Sequence, residues 1–111
     1  MQMLFIDPGR FRTELKLQKA KTVQDGLGGH SVEWREIGVV LAHVEPVSAQ
    51  SRFRAGQFHE TVSHRITLRF RQDVRSGMRF VKQGRALEIV GVQDADETGR
   101  YLICLTREEG R

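Results

Sequence analysis

Between Thr61 and Arg71 the chain alternates with a period of two. Val62, His64, Ile66, Leu68 and Phe70 fall on one face, and Thr61, Ser63, Arg65, Thr67, Arg69 and Arg71 on the other. Successive side chains of a strand point to opposite sides of the pleat, so this pattern predicts a half-buried β-strand over 61–71. Phe11, Leu15 and Leu17 alternate with Arg12, Glu14, Lys16 and Gln18 in the same way after the turn at Asp7-Pro8-Gly9. That strand runs on through the polar Lys19–Gln24 into Asp25-Gly26-Leu27-Gly28-Gly29, whose glycines suit a hairpin loop. The returning strand places Val32 and Trp34 on one face, but Ile37 is out of phase and Gly38 follows, which predicts a β-bulge near Glu36–Gly38. Val39-Val40-Leu41-Ala42 is then apolar on both faces, as in the wall of a closed barrel or at a subunit interface, and Pro46 ends the strand.

Further on, Gln72–Gly77 reads as a turn, Met78–Val81 as a short strand, and Lys82-Gln83-Gly84-Arg85 as a tight hairpin into Ala86–Gln93. Gly91 offers a second bulge site, Asp94–Gly99 is a loop, and Tyr101–Arg107 is the last strand. No stretch has sustained helical periodicity. The fold class is therefore all-β, a small antiparallel barrel or sandwich formed as one domain over residues 1–111, with one long loop at Val47–Glu60. Its expected core is Trp34, Ile66, Leu68, Phe70, Leu87 and Ile89.

Charge adds a polarity that the pattern does not show. The net charge is +4, yet residues 52–85 hold nine basic and two acidic side chains, while residues 86–111 hold three basic and six acidic. Arginine outnumbers lysine by fourteen to four, which suits ordered bidentate contacts. Such asymmetry fits a polyanionic partner or neighbouring copies that meet positive to negative. Arg65, Arg69 and Arg71 make up the basic strand face. The long loop carries Arg52, Phe53, Arg54, Gln57, Phe58 and His59, and its aromatics could stack on bases, fold back on the core or, the reading we favour, dock on a neighbouring subunit. One cysteine excludes an internal disulfide and fits a reducing compartment, and no apolar run reaches membrane-spanning length. The expectation is a protein made in the cytoplasm, with no signal peptide and no membrane partner.

Catalytic and metal motifs fail on spacing. His59 and His64 are five apart, whereas a zinc-protease helix needs four, and an odd separation on a strand sends them to opposite faces. Asp94, Asp96 and Thr98 imitate a calcium loop, but Leu105 occupies the place of the bidentate glutamate. The glycines at 26–29 have no helix behind them to cradle a phosphate. Cys104 lies in a strand with no nearby histidine and reads as a structural thiol. The expectation is no enzyme, no metal and no cofactor.

The order of the short N-terminal strand, Asp25-Gly26-x-Gly28-Gly29, Trp34, the strand end at Ala42–Pro46, a polar loop, Ile66-x-Leu68-Arg69-Phe70 and Gly84-x-x-Leu87-x-Ile89-x-x-Val92 resembles the head-tail joining family of tailed bacteriophages. These proteins are also called head-closure, adaptor or stopper proteins. The resemblance implies a small β-barrel that assembles as a homo-oligomeric ring beneath the portal, retains DNA and gives the tail its attachment surface. It implies portal, adaptor and tail proteins as partners, double-stranded DNA in the channel, and a place in the virion or a gene transfer agent particle after assembly in the host cytoplasm. The free subunit is expected to be a monomer. It also implies that Val47–Glu60 projects toward the channel or grips a neighbour. The alternative is a small basic barrel that binds nucleic acid, with Arg65, Arg69 and Arg71 on phosphates and Phe53 and Phe58 on bases.

Overall fold

The computed structural model describes residues 6–47 and 62–110. They form six antiparallel strands: β1 (Thr13–Gln24), β2 (His30–Pro46), β3 (His64–Arg69), β4 (Arg79–Lys82), β5 (Arg85–Asp94) and β6 (Tyr101–Glu108). The strands close into a barrel in the order β1-β2-β3-β6-β5-β4. Closure satisfies the edges of a sheet this small, with β1 pairing β4 over Lys16–Gln18.

Inward-pointing residues stack in layers. Ala42, Leu68 and Leu102 lie side by side across β2, β3 and β6, and Val44, Ile66 and Cys104 form the next row. Leu15 and Leu17 from β1, Phe80 from β4, and Leu87 and Ile89 from β5 complete a dry core. Two bulges bend the sheet. Leu17 faces Gly38 and Gln18 faces Glu36, which leaves Ile37 as the extra residue, and Ile89 faces Thr106 while Gly91 faces Leu105, which leaves Val90. The β4–β5 turn needs positive φ at both central residues, which Gln83 (51°) and Gly84 (81°) supply.

Two residues expected in the core lie elsewhere. Phe70 is 39% exposed. β3 ends at Arg69, the Phe70 N–H bonds the Arg100 carbonyl, and the chain turns off the ladder. Val74 and Met78, from the segment that follows, fill that end of the barrel instead. Trp34 is half-buried and outside the core. Val40 and Ala42 point inward, so unbroken alternation would turn Trp34 and Val32 inward too, but the extra residue Ile37 reverses the phase and sends both outward. The strand expected over 61–71 is paired only over His64–Arg69.

The outer face is not uniformly exposed. Asp7 accepts a hydrogen bond from the Gly9 N–H at 2.9 Å and caps a 3-10 turn, Pro8–Arg10, which lays Phe11 edge-on against Tyr101 of β6 at a ring separation of 5.6 Å. Phe11 is buried there, and so is Thr67, on the strand face expected to meet solvent.

Candidate interaction surfaces

β1 and β2 are twelve and seventeen residues long, whereas β3 has six. β1 pairs with β4 only as far as Gln18, and β2 pairs with β3 only over Ala42–Pro46. Lys19–Gln24 and His30–Ile37 therefore leave the barrel as a two-stranded arm, paired with each other from Lys19↔Arg35 to Gln24↔His30. Six residues at about 3.3 Å each extend it by about 20 Å. The molecule measures 54 × 29 × 26 Å. At the tip, Asp25 accepts from the Leu27 and Gly29 N–H groups at 2.8 and 3.1 Å and holds the loop, with Leu27 92% exposed.

The arm has two unlike faces. Ala20 and Thr22 pair with Trp34 and Val32 on the outer one, and Lys19 and Lys21 pair with Arg35 and Glu33 on the other. The outer face continues down β2 past Glu36 to Val39 and Leu41, and Val32, Val39 and Leu41 are each at least half exposed. Pro8 also lies toward solvent beside β2's lower part, and Phe70 is exposed past the end of β3. Between Lys19 and Glu36 there are three basic side chains (Lys19, Lys21, Arg35) and three acidic ones (Asp25, Glu33, Glu36), so the arm is charge-balanced. Pro46 and His64, which flank residues 48–61, lie at the barrel end opposite the arm.

The three arginines of the basic strand face are not brought together. Arg65 donates to Glu45 at 3.0 Å, and Glu45 also meets His43 at 3.2 Å. Arg71 lies past the strand end and grips Asp73 through two hydrogen bonds of 2.9 and 2.8 Å, with its guanidinium across Gly38. Those bonds raise the Arg71 pKa and lower that of Asp73. Arg69 alone of the three makes no ion pair among the described residues. Between Arg65 and Arg69 the strand face is occupied by buried Thr67. Elsewhere Arg85 forks onto Glu108 at 3.0 and 2.9 Å, and Arg107 pairs with Glu88. Much of the arginine excess is thus matched by carboxylates of the same chain.

Ile66, Leu68, Leu87 and Ile89 line the interior and are unavailable to a partner. Arg52, Phe53, Arg54, Gln57, Phe58 and His59 lie outside the described residues. The groove beneath the 3-10 turn gathers His43, Glu45 and Arg65, with Glu45 held by both His43 and Arg65. Cys104 points into the core, where burial pushes its thiol up to about 12. Among the described residues no group of three His, Cys, Asp or Glu is placed to hold a metal ion. The arm and the exposed Val32, Val39 and Leu41 escape a sequence reading that looks for charge and chemistry. The available signal was length, since a strand pair twice as long as its neighbours cannot lie wholly within one small barrel wall.

The sequence model of a family described as phage head completion protein matches residues 6–109. Head completion protein gp7 of Enterobacteria phage HK97 is 28% identical over 111 residues, spanning 94% of this chain and 99% of that protein. A solved chain from the virion of a native gene transfer agent particle is 32% identical, covers 88% of this chain and 93% of its own, and superposes with a TM-score of 0.66. The solution structure of protein SF1141 from Shigella flexneri 2a is 26% identical, covers 96% and 99%, and gives a TM-score of 0.74.

Proposed function

Because the chain belongs to the phage head completion protein family, we propose that it is a structural protein of the head-tail junction in a tailed phage or gene transfer agent particle, and no enzyme. Residues 1–111 act as one domain. Subunits stand side by side in a ring below the portal, close the filled head, and offer the tail proteins a docking surface. The observation that carries this reading is the charge-balanced arm with the exposed Val32 on it and the exposed Val39 and Leu41 below it, because exposed apolar side chains grouped on one face mark a protein contact and balanced charge gives a nucleic acid little to hold. The relatives among phage and gene transfer agent particles support the virion as its location. Arg69 and the arginines of residues 52–54 are the candidates for DNA in the channel. A stand-alone nucleic-acid module is disfavoured by the ion pairs that occupy Arg65 and Arg71.

The test adds purified protein to DNA-filled heads that carry a portal but lack this subunit. Stable co-sedimentation, protection of packaged DNA from release, and recovery of tail joining are expected. Failure to bind such heads, or tight salt-sensitive binding to free DNA in its place, would overturn the proposal.

A further inference from the structure

We propose that the two free edges of the arm are complementary, so that Lys19–Gln24 of one copy lies antiparallel against His30–Glu36 of the next copy of this chain. The inference deepens the reading of the protein as a side-by-side subunit and supplies the contact that reading lacks. Among the described residues each arm strand is paired on one side only here, which leaves a row of backbone donors and acceptors on the other. Natural edges are blunted by proline, bulges or charge; His30–Glu36 has no proline and its bulge comes only at Ile37, so charge (Lys19, Lys21, Glu33, Arg35) is what selects the partner here.

A second copy fits because the match already exists inside one arm. There Ala20 and Thr22 lie opposite Trp34 and Val32, and Lys21 lies opposite Glu33, which offsets the one like-charge pair, Lys19 and Arg35. The open side of β2 offers the same row of side chains to another β1. Lys19, Lys21, Glu33 and Arg35 form no ion pair among the described residues, which leaves two lysines on the β1 edge and a carboxylate beside one arginine on the β2 edge. Two β1 edges would meet lysine to lysine, whereas a β1 edge on a β2 edge brings Lys21 to Glu33. Unlike edges give a head-to-tail contact, the kind that closes a ring. Apposition would also cover Val32, now 57% exposed.

The experiment uses two single variants, Thr22→Cys and Val32→Cys, prepared separately and then mixed. Native Cys104 is fully buried and stays silent. Each mixture is treated with a short bis-maleimide, both as concentrated free protein and bound to portal-bearing heads. Cross-links between the two variants, with few between identical ones, are expected. Adding Glu33→Lys should lower their yield about fivefold, because like charges would then face each other across the ladder. Equal yields of like and unlike pairs, or no cross-link on heads that bind the protein, would overturn the arm pairing and leave the head-tail reading standing. Unlike cross-links in free protein that does not bind heads would uphold the pairing and overturn that reading.

Discussion

Arg79 lays its guanidinium over the ring of Trp34, 4.1 Å from the ring centroid, and donates through Nε to Gln18 Oε1 at 2.8 Å. One side chain of β4 thus holds both strands of the arm where they leave the barrel, just beyond the bulge. Lys16 and Glu36 flank the same spot at 3.9 Å, an exposed pair of little weight. This clasp and the bulge at Ile37 both fall where the arm leaves the barrel.

Arg79→Ala should therefore loosen the arm without unfolding the barrel. The stacking of a partly exposed cation on tryptophan is worth about 0.5–1 kcal/mol, a small part of the stability of such a domain. Trp34 is the only tryptophan, so its emission reports the site directly. A shift to longer wavelength with an unchanged far-ultraviolet circular dichroism spectrum is expected. Emission identical to wild type would mean that the stack does not shield the ring.

Leu68 and Phe70 sit two residues apart in a perfect alternation, yet their substitutions should separate widely. Leu68 is 1% exposed between Ala42 and Leu102, so Leu68→Ala should cost about 2–5 kcal/mol. Phe70→Ala, at the exposed end of the strand, should cost about 1 kcal/mol or less. Urea titrations of the two variants measure the difference, and equal losses would place Phe70 in the core.

Those two residues also show what the sequence could and could not disclose. Alternation identifies Leu68, Leu15 and Ile89 as inward because burial and periodicity agree along a paired strand. It fails at Phe70, where the chain leaves the ladder for a reason located in residues 74–78, and at Trp34, where one inserted residue inverts every position beyond it. The bulge itself was legible from Ile37 and Gly38, but its consequence for the face of Trp34 depends on which strand carries the extra residue. Thr67 is buried in a groove it shares with Phe11 and Ile103, far away in sequence, and no local pattern contains that. For the surfaces, arginine count overstated the free positive charge, because pairs such as Arg65–Glu45 join residues of different strands.

Cys104 should be inert in the native protein and should tie stability to alkaline pH. Burial holds its thiol up at about 12, whereas an unfolded cysteine ionises near 8.5. The folded chain thus keeps the proton more tightly. Its contribution is fully present below about pH 8.5 and is lost as pH rises toward 12, by about 1.4 kcal/mol per unit. Cys104→Ala removes this dependence, so the stability difference between wild type and variant should slope with pH only in that window. An aromatic disulfide reagent should label wild type only after denaturant is added. Rapid labelling of the native state would contradict the burial.

The segment between β2 and β3 should be dispensable for folding and required for assembly. Its ends are fastened by the ladder itself: Pro46 pairs with His64, and the Val47 N–H donates to the Ser63 carbonyl at 2.9 Å. Ser63 is bound in turn to β6, through its N–H to the Thr106 carbonyl and through its hydroxyl to the Glu108 N–H, both at 2.8 Å. Val62, 1% exposed, closes that end of the barrel. Closing a loop costs only weakly more entropy as it lengthens, so replacing Ser48–His59 by a short Gly/Ser linker should leave the thermal transition within a few degrees of wild type. Binding to portal-bearing heads should be lost, since the replacement removes Arg52, Phe53, Arg54, Gln57, Phe58 and His59 together. Both quantities are measured on the same purified variant, by calorimetry and by co-sedimentation at low and high salt. Wild-type binding by the variant would remove these residues from the assembly surface. A lost folding transition would show that Phe53 and Phe58 serve the core, because the bonds at Val47 and Ser63 would then be insufficient to close the barrel.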